Sequence, residues 1–169
     1  MSDFLQRCFC QGNRGKNPSY NMKSLLILLT VIFFSFSQAM SQQPVLDHIA
    51  IYVTDLKKSS AFYRDVLGFD SLPEPFRDGK HAWFAIGQGK QLHIIEGATS
   101  RADQPKRNHA CFRIASLQDF ITRLTKAGIA YEDLQGTPGG ITLRPDGIQQ
   151  IYFRDLDGYW IEMNDAGKQ

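Results

Sequence analysis

From Val45 the chain reads VLDHIAIYV, and Ile49, Ile51 and Val53 alternate with His48, Ala50 and Tyr52. A period of two predicts a strand with one buried face. After the capping pair Thr54-Asp55, the positions Leu56, Ser59, Ser60, Tyr63, Val66 and Leu67 recur at helical spacing, and Gly68 supplies the stop. Two more strand-like runs, His81 to Ile86 and Gln91 to Ile95, are joined by Gly87-Gln88-Gly89-Lys90, which reads as a hairpin. With a short strand around Asp70 to Leu72, the predicted order is β-α-β-β-β.

The same pattern is written a second time. A shift of 61 residues lays Asp47-His48 on Asn108-His109, Ile51 on Phe112, Val53 on Ile114 and Leu56 on Leu117. Ser116-Leu117-Gln118-Asp119 is a capping box; it opens a helix that buries Leu117, Phe120 and Leu124 and stops at Gly128. Near the end the best shift becomes 69, which pairs Phe84 with Phe153, Leu92 with Ile161 and His93 with Glu162. The second copy is therefore longer, and residues 136–147 are the natural place for its insertion. The fold class is α+β: two tandem β-α-β-β-β modules, about 45–97 and 106–165, expected to pair about a pseudo-twofold axis into a half-open barrel. The polar stretch Arg101 to Arg107 links them.

Ahead of the repeat stands LLILLTVIFFSF, Leu25 to Phe36, preceded by Lys23 and followed by small residues. The run is too short for a bilayer, which takes about 20 residues, and suits the apolar region of a signal peptide. Residues 22–41 are read as that peptide, with cleavage after Ala39 or Ser41, and residues 1–21 as an extension ahead of a second start at Met22. The expected product is a periplasmic or secreted domain, 42–169, with no stable membrane anchor. The charge supports the division. Four of the nineteen basic residues and one of the seventeen acidic ones lie in the first 41, leaving fifteen against sixteen. That balance gives no electrostatic case for a nucleic-acid partner. Cys8 and Cys10 go with the leader, and Cys111 alone cannot form an intramolecular disulfide.

Four metal-competent donors stand at equivalent places of the two copies: His48 and His109 in the first strands, His93 and Glu162 in the last. Each lies on a different strand, so their joint symmetry carries the signal. If the open faces of the sheets converge, the four meet around one ion. Three imidazoles and a carboxylate suit Zn, Ni, Fe, Co or Mn better than Ca or Mg. Glu162, the one carboxylate, is the expected proton shuttle. Cys111 and Arg113 follow His109 at strand spacing, and Tyr52 shares the face of His48, so these three are candidate substrate contacts beside the plainer reading of packing or surface residues. His81 is read as a loop or strand-edge residue, and Gln150 as a hydrogen-bonding group near the mouth.

The segments LDHIAIYVTDLKKSSAFYRDVLGF and GIQQIYFRDLDGYWIEMND closely resemble the opening and closing signatures of the vicinal oxygen chelate superfamily, the glyoxalase, bleomycin-resistance and extradiol-dioxygenase group. The resemblance spans about Val45 to Asp165. It implies metal ligands at the positions of His48, His93, His109 and Glu162. Histidine at 93 is a departure: glyoxalase I-like members usually carry glutamate there, epimerases often glutamine, and in dioxygenases the position is not a ligand. Leu156 replaces the proline of the family's Asp-Pro-Asp-Gly turn.

The resulting expectation is an exported, metal-dependent glyoxalase-like lyase or isomerase acting on a small molecule that chelates the ion through neighbouring oxygens. Its alternatives are an Fe(II) extradiol-type dioxygenase using His48, His109 and Glu162, a bleomycin-resistance-type binding protein without catalysis, and fosfomycin-type thiol transfer. Relatives of this size build sites across a homodimer, so a second subunit can supply part of the ligand set.

Overall fold

The computed structural model describes residues 43–168 together with Asn21 and Lys23; the remainder of the predicted leader lies outside the described residues. Among those described, no helix is long and apolar enough to cross a membrane.

The first module forms β1 (His48–Val53), α1 (Leu56–Ala61) continued by a π turn (Phe62–Val66), β2 (Asp70–Leu72), β3 (His81–Ala85) and β4 (Gln91–Glu96). The Asp55 carboxylate caps α1 by accepting from the Lys58 amide at 3.0 Å, and Gly68, at φ +80°, ends the turn. The sheet order is β1-β4-β3-β2, with β1 parallel to β4 and the other pairs antiparallel. The second module repeats it with β5 (His109–Arg113), α2 (Leu117–Lys126), β6 (Tyr131–Glu132), β8 (Gln149–Arg154) and β9 (Trp160–Asn164) in the order β5-β9-β8-β6. Its extra residues lie between β6 and β8, where the short β7 (Thr142–Leu143) adds to β8. No strand pairing joins the two sheets among the described residues.

In both modules the helix covers one face of the sheet; the other is exposed along β1 of the first and carries the buried polar residues Gln150, Tyr152, Glu162 and Asn164 in the second. Ile51, Val53, Leu92 and Ile94 point to the covered side of the first sheet, and Ile151, Phe153, Ile161 and Met163 to that of the second. Leu117, Phe120, Ile121 and Leu124 of α2 complete the core. Each such buried side chain contributes about 1.5–3 kcal/mol. The alternating partners, His48 among them, are left on the open faces.

The modules are tied by the β8–β9 turn. Asp157, 1% exposed, accepts from the Thr54 amide (2.7 Å), the Thr54 hydroxyl (2.8 Å) and the Ser59 hydroxyl (2.5 Å). Asp155 accepts from the Tyr63 hydroxyl at 2.6 Å. Gly158 turns the corner at φ +90°, and a Cβ there would collide with the Ala102 carbonyl, so the link between modules passes where only glycine leaves room. Phe69 meets Phe112 edge-on across the same junction, with ring centroids 5.1 Å apart.

Candidate metal and substrate site

On the open face of the second sheet, Cys111, Glu162 and Tyr152 lie in one row across β5, β9 and β8. Glu162 is 6% exposed, and its carboxylate is filled from its neighbours. Oε2 accepts from the Tyr152 hydroxyl at 2.6 Å; Oε1 accepts from Cys111 Sγ and Asn164 Nδ2, each at 3.1 Å. Gln150 Nε2 donates in turn to the Tyr152 oxygen at 2.5 Å. Burial pushes the Glu162 carboxyl up, but these hydrogen bonds and the His109 imidazole outweigh it and hold its pKa below the ordinary value. Desolvation and then the Glu162 carboxylate push the Cys111 thiol up to about 12. Cys111 is thus held as a hydrogen-bonded thiol donating to Glu162.

His109 completes the arrangement. Its Nδ1 lies 2.7 Å from the Lys106 carbonyl, which can only accept, so Nδ1 carries the hydrogen. Nε2 is therefore turned to Glu162 Oε2, 3.2 Å away. A proton on Nε2 makes this contact an ion pair with the carboxylate, and a cation in that proton's place would meet the same two atoms. An imidazole fixed through its far nitrogen, beside a carboxylate held by outer hydrogen bonds, is the donor chemistry of a divalent metal site. Arg113 is exposed at the far end of the same strand.

The corresponding positions of the first sheet are used differently. His48, His93 and Trp83 stand on β1, β4 and β3 with their rings nearly parallel: His48 to His93 at 4.2 Å and 12°, His93 to Trp83 at 4.0 Å and 3°. His48 Nδ1 pairs with Asp47 at 2.8 Å, leaving Nε2 open. His93 Nε2 meets the Gln91 side-chain oxygen at 2.9 Å. Burial and then the neighbouring His48 lower the His93 pKa. In-plane lone pairs of two parallel rings do not intersect, so His48 and His93 in this stack cannot both ligate one ion at the 2.0–2.1 Å that imidazole ligation requires, roughly.

Thus the four predicted donors do not meet within the chain. They fall into two pairs on two sheets, His48 with His93 and His109 with Glu162, and no three His, Cys, Asp or Glu side chains among the described residues are arranged to hold a metal ion. The physical reason is the packing: the modules join through the Asp155–Asp157 turn and their helix sides, and no ladder bond brings the open faces together. Tyr52 is on the predicted face and half exposed, with its backbone clasped by the Tyr159 hydroxyl at 3.2 and 3.1 Å. His81 opens β3 on the open face, its Nδ1 2.9 Å from Asp78. Gln150 is buried one step behind Glu162. Tyr152, Asn164 and Trp83 are functional-face residues that the repeat comparison passed over. Strand parity was the available signal, because each lies an even number of residues from a predicted donor on its own strand or across its register.

Residues 45–163 match the family model of the Glyoxalase/Bleomycin resistance protein/Dioxygenase superfamily. The metallothiol transferase FosB of Staphylococcus epidermidis is 31% identical over 124 residues, covering 70% of this chain and 79% of its own. The fosfomycin resistance protein FosX of Listeria monocytogenes is 28% identical over 125 residues, covering 70% and 87%, and its crystal structure superposes with a TM-score of 0.57 over 74% of this chain and 95% of that one, at 23% identity. The lactoylglutathione lyase of Agrobacterium tumefaciens shares the fold at a TM-score of 0.55 and 24% identity, over 74% and 96%. With the two-module architecture and the matched span in agreement, the chain belongs to the glyoxalase, bleomycin resistance and dioxygenase superfamily.

Proposed function

We propose that the protein is a metal-dependent enzyme acting on a small substrate through two neighbouring oxygens, with a site built from two copies of the chain: His109 and Glu162 of one and His48 of the other. The observation that carries this reading is the approach of His109 Nε2 to Glu162 Oε2, 3.2 Å apart, with both groups held in place by Tyr152, Cys111, Asn164 and the Lys106 carbonyl. His48, its Nε2 open, supplies the third donor once the open faces of two chains meet. The set suits Zn, Ni, Fe or Mn. A bound ion of this kind supplies Lewis-acid stabilisation of a developing oxyanion. Glu162 would move the proton: its carboxylate, held by the Tyr152 hydroxyl at 2.6 Å, is the carboxylate of the donor set and so the group that would take a proton from a carbon beside the substrate carbonyl. Cys111 and Asn164 keep the other oxygen fixed, and the covered faces of both sheets exclude water from behind. The reaction class is that of a lyase or isomerase, the glyoxalase-like choice. Residues 22–41 serve as a cleaved export signal in this proposal, and N-terminal sequencing of the protein recovered from outside the cytoplasm checks it.

The test is proton exchange. With hydroxyacetone in deuterated water, the metal-loaded protein should catalyse exchange beside the carbonyl, followed by NMR. Glu162→Gln should weaken metal binding, read by calorimetry, and should abolish exchange even at metal concentrations that saturate the variant. Exchange unchanged in that variant removes Glu162 from the role of base. The likeness to FosX and FosB favours a second reading, fosfomycin modification by the same three donors; consumption of fosfomycin in the presence of a thiol, followed by phosphorus NMR, would replace the first.

A further inference from the structure

Lys106 stands three residues ahead of His109, at the end of the linker between the modules, and it reaches both members of the His109–Glu162 pair. Its carbonyl accepts from His109 Nδ1 at 2.7 Å. Its ammonium, on a side chain only 16% exposed, lies over the Tyr152 ring, 5.6 Å from the centroid, and over that of Trp160 at 5.2 Å. The Tyr152 hydroxyl in turn donates to Glu162. Three acceptors match the three hydrogens of the ammonium: the Glu132 carboxylate, the Asp133 carbonyl at 2.8 Å and the Leu134 carbonyl at 3.3 Å. Both carbonyls belong to the longer segment between β6 and β8, which is itself fixed. The Leu134 amide donates to Thr142 Oγ1 on β7 at 2.8 Å, and the Thr137 amide to the Asp133 carboxylate at 2.8 Å. The first module has no such device. The 61-residue shift lays Lys106 on Val45, which is 79% exposed, and His48 turns its Nδ1 to the adjacent Asp47 carboxylate instead of a carbonyl three residues back. Charge narrows the role. An unpaired cation beside the donors would repel a metal ion, but Lys106 is paired with Glu132 and so holds the Tyr152 ring without opposing the ion.

Resting on the metal-site reading above, we infer that Lys106 is a positioning residue: through its carbonyl it fixes His109, through its anchored side chain and the Tyr152 ring it fixes Glu162, and the longer β6–β8 segment is its anchor. The insertion that distinguishes the second module from the first thereby acts on the donor pair without touching it.

Calorimetric titration of the full chain with Mn²⁺ separates positioning from charge by the sign of the effect. Lys106→Met keeps most of the stem and removes the ammonium. Positioning predicts Mn²⁺ affinity lowered by about tenfold in this variant, and restored by Lys106→Arg, whose guanidinium donates to the same acceptors. Charge alone predicts the opposite, because a cation is lost and Glu132 is left unpaired. Unchanged or raised affinity in Lys106→Met overturns the inference. The second measurement needs no metal. Nitrogen NMR of the imidazoles, at a pH above the imidazole range, should show the His109 hydrogen on Nδ1 in the parent and in Lys106→Arg, and shared between the two nitrogens in Lys106→Met; a single Nδ1–H form in all three also overturns it. If circular dichroism shows Lys106→Met unfolded, Glu132→Ala releases the same anchor from its other end and should give the same shared signal, and a spectrum like the parent's is then the overturning result. A parent protein that binds no Mn²⁺ ends the metal-site reading, while the imidazole spectra still decide the role of Lys106.

Discussion

Three acidic residues of one hairpin, Asp155, Asp157 and Glu162, are 2%, 1% and 6% exposed, yet only one sits in a place that can do chemistry. The number of hydrogen bonds does not separate them. Asp157 accepts three from Thr54 and Ser59; Asp155 accepts from Tyr63 and from the amides of Asp157 and Tyr159; Glu162 accepts from Tyr152, Cys111 and Asn164. The difference is in the partners. Those of the junction pair are hydroxyls and amides in the seam between modules. Those of Glu162 are side chains on the sheet face away from the helix, and its remaining neighbour, His109, presents Nε2 at 3.2 Å. The balance of forces differs too. At Asp155 burial wins and raises the pKa, with the Tyr63 hydrogen bond opposing it; at Glu162 the hydrogen bonds win and lower it. A buried carboxylate becomes a candidate ligand when a second donor atom, here an imidazole nitrogen, stands beside it on the sheet face away from the helix.

The largest effect that should follow is on folding. Asp157→Ala leaves the Thr54 amide and two hydroxyls without acceptors in the seam and should cost about 4 kcal/mol in urea unfolding. Metal affinity of the folded fraction should not change. A loss below about 1 kcal/mol would mean that water replaces the carboxylate, and that the junction is as open as the face around Glu162.

Much of this contrast was legible in the residues. The 61-residue shift located both first strands, with His48 and His109 at their starts, and both helices, because hydrophobic periodicity and caps survive duplication. The shift of 69 found Glu162, and the insertion it demanded is the β6–β8 segment. Two things were hidden. Equivalence by repeat says which positions correspond, but not whether their faces meet, and His93 went into a ring stack while its counterpart Glu162 went into a hydrogen-bond network. The roles of Asp155 and Asp157 depend on Thr54, Ser59 and Tyr63, about a hundred residues earlier, contacts no local pattern encodes.

A smaller effect sharpens the active side of the comparison. Tyr152→Phe keeps the ring, which is 2% exposed, and removes only the hydroxyl between Gln150 and Glu162. Loss of such an outer partner should lower Mn²⁺ affinity by about tenfold, and the unpaired Gln150 amide and Glu162 oxygen should cost about 1–2 kcal/mol in unfolding. Stability lost with metal binding kept would place Glu162 with the junction carboxylates.

The smallest effect is one of sign. Because the Asp155 pKa is raised in the folded protein, its contribution to stability is fully present below the unfolded value of about 3.9 and is lost as pH rises through the folded pKa. Asn at this position is neutral throughout and keeps an oxygen for the amides of Asp157 and Tyr159, while its amide can donate to the Tyr63 oxygen. Asp155→Asn should therefore lie within about 1 kcal/mol of the parent at pH 7. As pH falls the parent gains a protonated, uncharged carboxyl that burial penalises less and Asn gains nothing, so the deficit of the variant should widen. Urea unfolding of both proteins at pH 7 and pH 4 reads the difference. A gap that narrows on acidification would show that the Tyr63 hydrogen bond outweighs burial, and Asp155 would then titrate as Glu162 does, dissolving the electrostatic half of the contrast.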